Sequence, residues 1–252
     1  MSEQPPVSGT FSAYTKSRIQ WEEPFLVGGE ILTASEVVSL AKPLLTEARR
    51  QRIEEVLCWR SLQFAPVLEN IHDQGNISAV MRSSEAFGFI NFHLLETEQQ
   101  RFKAANRVSK GADKWLDVQI HSTAEDLVEF MSQKGFKIYA THLSAVSRPV
   151  AELDFSQPTA IVLGNEKKGV SESLRELCDG DVIIPMYGFS QSFNISVAAA
   201  LVFQTAFEKR LASRNDALSG KTELTLEQEV QLRANYYLRS LKRPEAILGL
   251  RS

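Results

Sequence analysis

From Pro66 to Leu211 the chain repeats one alternation: a short aliphatic run, a polar turn, then a stretch with apolar residues every three or four positions. The runs predict strands over 67–71, 92–95, 118–121, 137–142, 159–163 and 182–185. The longer periods predict helices over 76–87, 124–134, 171–177 and 192–211. Strands that alternate with helices are joined by crossovers, so the expected fold is α/β, with a mostly parallel sheet covered by helices on both faces.

The flanks read differently. Residues 1–32 show no sustained period and hold Pro5, Pro6, Pro24 and the Gly28-Gly29 pair, an irregular lead-in. Thr33 and Glu36 have capping-box spacing for a short helix ending near Pro43. A basic helix is predicted over 46–62, with Ile53, Val56, Leu57 and Arg60 recurring on one side. Beyond a polar linker at 212–223 a last amphipathic helix is predicted over 225–241. The chain thus divides into an N-terminal extension, 1–45, an α/β domain, 46–211, and a linker with a helical extension, 212–252.

With 252 residues, 43% hydrophobic and 9% aromatic, the chain has material for a packed core, which excludes global disorder. Its longest apolar run, 195–203, is broken by Ser196 and falls far short of the roughly 20 residues of a membrane helix. The start, Met1-Ser-Glu-Gln-Pro-Pro, lacks the basic and apolar regions of a signal peptide, so a cytoplasmic protein with no membrane partner is expected. Two cysteines, Cys58 and Cys178, make neither a disulfide framework nor a zinc site.

Charge is unevenly spread. Residues 42–60 carry five basic and three acidic side chains, and 207–252 carry nine and six, around an acidic centre in a chain of net charge −3. Arg49, Arg50 and Arg52, with Lys209, Arg210, Lys242 and Arg243, are the basic positions expected to hold a phosphate backbone.

Common catalytic signatures are missing. Gly164-Asn-Glu-Lys-Lys-Gly169 imitates a phosphate loop, but Val170-Ser171 follows where the lysine belongs. No GxGxxG follows a strand and no GxSxG elbow occurs. His72, His93, His121 and His142 lie at or near strand ends without ligand spacing and are read as structural, so no metal is expected.

Three segments place polar residues at strand ends and helix starts, where α/β folds put ligands. The first runs from Leu68 through Asn76, a natural N-cap, to Arg82 and Gly88. The second, from Ala160, opens a buried strand into a glycine-bracketed loop around Glu166. In the third, from Ile183, Ser192 and Asn194 crowd the start of a small-residue helix, with Ser192 as a possible cap.

Together, in this order, these segments resemble the three motifs of the SPOUT superfamily of RNA methyltransferases, in its TrmH (SpoU) branch. The likeness runs from about Thr46 to Arg210 and includes the strand end Tyr139-Ala-Thr-His-Leu-Ser144. It implies a deep C-terminal trefoil knot, a homodimer with the active site at the subunit interface, and S-adenosylmethionine as methyl donor. The donor pocket would draw on Thr141, Leu163, Gly164, Ile184, Met186 and Phe193. Arg82 would be the central catalytic residue, with Asn76, Glu166, Ser192 and Asn194 around it. The implied reaction is methylation of a ribose 2′-hydroxyl in RNA, with guanosine-18 of the tRNA D-loop as expected target. Alternatives are a ribosomal RNA substrate, or a knotted RNA-binding protein without turnover. Departures fall at Phe193, where leucine is usual, at Asp73-Gln-Gly75, which replaces a more basic stretch, and in residues 1–45. A guanidinium stays protonated, so Arg82 is expected to bridge an RNA phosphate and the 2′-oxygen, not to act as a base.

Overall fold

The computed structural model describes residues 18–97, 111–144, 146–213 and 223–250. Most of the 212–223 linker therefore lies outside the described residues.

The lead-in is more ordered than its sequence suggests. Strands β1 (Phe25–Val27) and β2 (Glu30–Leu32) pair as a hairpin through Gly28-Gly29, both at positive φ, as a tight two-residue turn requires. Its three-residue arms are too short to register as a period. Helix α1 (Ala34–Ala41) starts on the Thr33/Glu36 capping box, and a short 3-10 turn carries Pro43. Helix α2 (Glu47–Leu57) is capped by Thr46 and stops five residues earlier than the sequence period suggests.

The domain continues as β3 (Phe64–Glu69), α3 (Gln74–Ala86), β4 (Asn91–Leu95), β5 (Asp117–His121), α4 (Ala124–Gln133), β6 (Lys137–Thr141) and β7 (Arg148–Pro149). Then come β8 (Thr159–Leu163), α5 (Glu172–Leu177), β9 (Gly180–Ile183), α6 (Ile195–Ser213) and α7 (Leu226–Ser240). Strand β3 begins before Pro66, not after it. Its pairing with β4 starts only at Val67↔His93, so the N–H that proline lacks falls at the end of that ladder.

Seven strands form one sheet in the order β5-β4-β3-β8-β6-β9-β7, and every pairing in it is parallel. β3, β4 and β8 are buried along their whole length, as strands covered on both faces must be. One face packs on α3 and α6, where Phe64, Phe89 and Phe203 meet with centroids 4.5–6.2 Å apart. Buried Ile195, Ala199, Val202 and Ala206 form the inward stripe of α6. The opposite face packs Val67, Val162 and Ala140 against Leu127 and Met131 of α4 and Leu174 of α5.

The two flanks meet each other. α1 and α2 both pack on α7. The backbone of Gln20 exchanges two hydrogen bonds with the Asn235 side chain, at 3.0 and 2.9 Å. Arg233 holds Glu54 of α2 through both carboxylate oxygens. Buried Asp117 accepts from the backbone of Ile19 and from the Trp21 indole, which ties residues 19–21 to the edge of the sheet.

Candidate active site

The carboxyl ends of β8, β6 and β9 lie side by side in the sheet, and the loops that leave them line a cavity of about 410 Å³. That size is ordinary for a small-molecule site. Leu163, Gly164, Ile184, Met186, Phe193 and Thr141 all line it, as do Glu166 and Ser192. The Thr141 hydroxyl donates to the Val162 carbonyl at 2.8 Å and so fixes the rim of β6 against β8. Gly164 is required sterically: a Cβ there would sit 2.1 Å from the backbone of Gly169 and Val170, where the loop crosses itself.

The three motifs converge on one hydrogen-bonded chain. The Asn76 amide donates to Glu166 at 2.8 Å, and its oxygen accepts from Asn194 at 3.2 Å. These residues are 90 and 118 positions apart in sequence. Two capping assignments are corrected. Asp73, not Asn76, caps α3, accepting from the backbone of Gly75 and Asn76. Asn76 therefore lies inside the first turn, where its side chain is available to bridge Glu166 and Asn194. Likewise Asn194, not Ser192, caps α6: its side-chain oxygen accepts from the Ser196 N–H at 2.9 Å and its carbonyl from Val197 and Ala198. Ser192 is left exposed at the cavity wall.

Arg82 does not line the cavity within one chain. Six residues beyond Asn76, it is displaced by about 9 Å along α3 and about 240° around it. It is exposed, and no hydrogen bond or ion pair links it to another described residue.

The basic positions divide. Arg49, Lys209, Lys242 and Arg243 are exposed, and Arg52 is exposed beside Glu55 at 3.1 Å. Arg50 is half-buried, bonded to Glu47 and the Lys42 carbonyl. Arg210 is corrected outright. It is 7% exposed, donates to the Phe155 carbonyl and pairs with Glu223 at 2.9 Å, so it faces the interior and not a nucleic acid. On α6 it continues the buried stripe, at fifteen residues from Ile195, which its charge conceals.

Sequence reasoning missed Asn165, Lys167, Gln191 and Ile195, which also line the cavity. Asn165 and its neighbours Lys167 and Lys168 lay in plain view beside Glu166, but nothing in their spacing distinguishes a loop-former from a solvated residue. Burial, reinforced by Asp181, pushes the Cys178 thiol up to about 12, so it is no nucleophile at neutral pH. Among the described residues no cluster of three potential ligands could hold a metal ion, and no helix is long and apolar enough to cross a membrane.

The chain matches known proteins in sequence and in fold. The SpoU rRNA Methylase family matches residues 63–204. The tRNA (guanosine(18)-2′-O)-methyltransferase of Thermus thermophilus is 40% identical over 66% of this chain and 85% of its own length. The enzyme of that name from Escherichia coli is 34% identical over 66% and 72%. The crystal structure of the Aquifex aeolicus TrmH/SpoU tRNA modifying enzyme superposes with a TM-score of 0.70 at 31% identity, over 78% of this chain and 98% of that one. The SpoU methyltransferase AviRb of Streptomyces viridochromogenes, solved with its cofactor AdoMet, gives 0.53 at 25% identity, over 59% and 61%. With its parallel sheet, its cavity at the strand ends and this extent of matching sequence, the chain belongs to the SpoU methylase family.

Proposed function

We propose that this protein transfers a methyl group from S-adenosylmethionine to the ribose 2′-hydroxyl of guanosine-18 in tRNA, working as a homodimer with a trefoil-knotted cofactor site. The observation that carries the reading is the Asn76–Glu166–Asn194 chain at the mouth of the cavity. The tRNA substrate is preferred over a ribosomal one because relatives at 30–40% identity bear tRNA (guanosine(18)-2′-O)-methyltransferase names. Such a substrate sets the compartment as the cytoplasm.

The cavity fits the methyl donor. Leu163, Ile184 and Phe193 supply apolar surface for a nucleobase, and the backbone around Gly164 supplies close polar contacts. When bound, the donor brings an electrophilic sulfonium methyl, so the chain has mainly to align an oxygen and ease loss of its proton. Glu166 and Asn194 are held by Asn76, which keeps their polar groups at the cavity mouth. Arg82 supplies fixed positive charge for the developing alkoxide and a neighbouring phosphate.

A partner copy supports that role for Arg82, whose exposed guanidinium is on the outside of α3. Phe193, Val197 and Leu201, four residues apart and 41–47% exposed, make an apolar stripe that runs from the cavity along α6. A second copy on this stripe buries it and brings an arginine from one chain toward the cavity of the other.

The test is transfer of tritiated methyl from S-adenosylmethionine to total tRNA and to ribosomal RNA, followed by nucleoside mapping. Label confined to 2′-O-methylguanosine in the D-loop supports the proposal. Label confined to ribosomal RNA moves the substrate to the other branch of the family, and no label with bound donor marks a binding protein.

A further inference from the structure

We propose that Asn165 is a positioning residue for the methyl donor, setting the path of the 164–170 loop that walls the cavity; this rests on the methyl-transfer reading. Residues 166–169 are all exposed, so no packing of their own side chains holds them. Asn165, by contrast, is 8% exposed and uses both ends of its amide. Its Nδ2 donates to the Asn70 carbonyl at 2.9 Å, and its Oδ1 accepts from the backbone of Lys167 at 2.9 Å and Lys168 at 3.4 Å. Its own carbonyl accepts from the Gly169 N–H at 2.7 Å, which closes the loop on itself.

The anchor is itself fixed. Asn70 has φ +48°, a left-handed conformation asparagine tolerates. Its backbone N–H donates to Leu95, and its side chain exchanges two hydrogen bonds with Thr97, at 2.8 and 3.0 Å. Next to it, the carboxylate of buried Glu69 accepts from the N–H and hydroxyl of Ser171 and so pins the far end of the loop. The end of β3 thus grips both ends of a loop whose middle carries Glu166 toward Asn76. Only an amide of this length both donates to Asn70 and accepts from the two loop N–H groups, because a carboxylate cannot donate.

The test compares the full-length chain with Asn165→Asp, which keeps the shape and the acceptor but loses the donor. Calorimetry with S-adenosylmethionine should show at least tenfold weaker binding, about 1.4 kcal/mol. Hydrogen exchange of the 165–170 amides without ligand should accelerate while the rest of the sheet keeps its protection. Wild-type affinity and wild-type exchange in Asn165→Asp overturn the inference and leave the methyl-transfer reading intact. Failure of the native chain to bind S-adenosylmethionine overturns that reading and the inference with it. Should Asn165→Asp not fold, Asn70→Gly serves: glycine accepts the left-handed φ and keeps the carbonyl but loses the Thr97 bonds. Faster loop exchange with at least threefold weaker binding supports the proposal, and native values for both overturn it.

Discussion

At the scale of single residues, two buried or poised groups carry measurable consequences. Arg82 is proposed to act through its bidentate, permanent charge, and lysine reproduces only the charge. Arg82→Lys should lower kcat by at least a hundredfold with little change in S-adenosylmethionine affinity; single-turnover methylation checks it, and near-normal turnover excludes the bridging role. His93 is fully buried; its Nε2 lies 2.8 Å from the Asn91 amide oxygen, so that nitrogen carries the proton and Nδ1 accepts from His121 at 2.9 Å. Burial, then His121 and Lys134, hold its pKa well below the usual histidine value. The folded chain therefore keeps His93 neutral while the unfolded chain protonates it below about pH 6.5. Stability from this site is full above that pH and is lost progressively as pH drops below it. Urea unfolding at pH 5.5 and 7.5 should show this loss in the native chain and a smaller one in His93→Phe.

At the scale of elements, cap chemistry was legible where a helix begins on a local signal. Thr33, Thr46 and Thr225 each start a helix by accepting from a backbone N–H three residues on. The signal misled where function competes for the same residue type. Asn76 and Ser192 are good capping residues by chemistry, yet Asp73 and Asn194 cap, which leaves Asn76 to bridge Glu166 and Asn194 and Ser192 on the cavity wall. The strand predicted over 67–71 extends back through Pro66 to Phe64, which a proline permits because the ladder with β4 begins only at Val67. Helix α2 retains its predicted basic character, with Arg49 and Arg52 exposed on it. Replacing both with glutamate should weaken tRNA binding and flatten its salt dependence by about 0.7–0.9 per lost phosphate contact, leaving donor affinity unchanged. Titrations at several salt concentrations check this, and an unaltered slope removes α2 from the RNA surface.

At the scale of the whole molecule, the proposed partner contact is the exposed stripe of Phe193, Val197 and Leu201. Val197→Glu with Leu201→Glu should yield a folded monomer by sedimentation and abolish methyl transfer, because each cavity then lacks the other copy's Arg82; an active monomer defeats the shared-site arrangement. By itself the sequence determined the longer strands and helices of the α/β domain, that the sheet is mostly parallel, and which strand ends carry polar side chains, since hydrophobic period and local chemistry encode these; the two- and three-residue strands β1, β2 and β7 carry no such period. Tertiary structure alone decided which of those side chains meet. Insertion of β8 between β3 and β6 brings the Asn70 and Asn165 turns together and sets Glu166 against Asn76. The same packing sends Arg210 inward and leaves Arg82 outside. Periodicity records how much of a residue is buried, but strand order and crossover fix what it is buried against, and that pairing has no signature in local sequence.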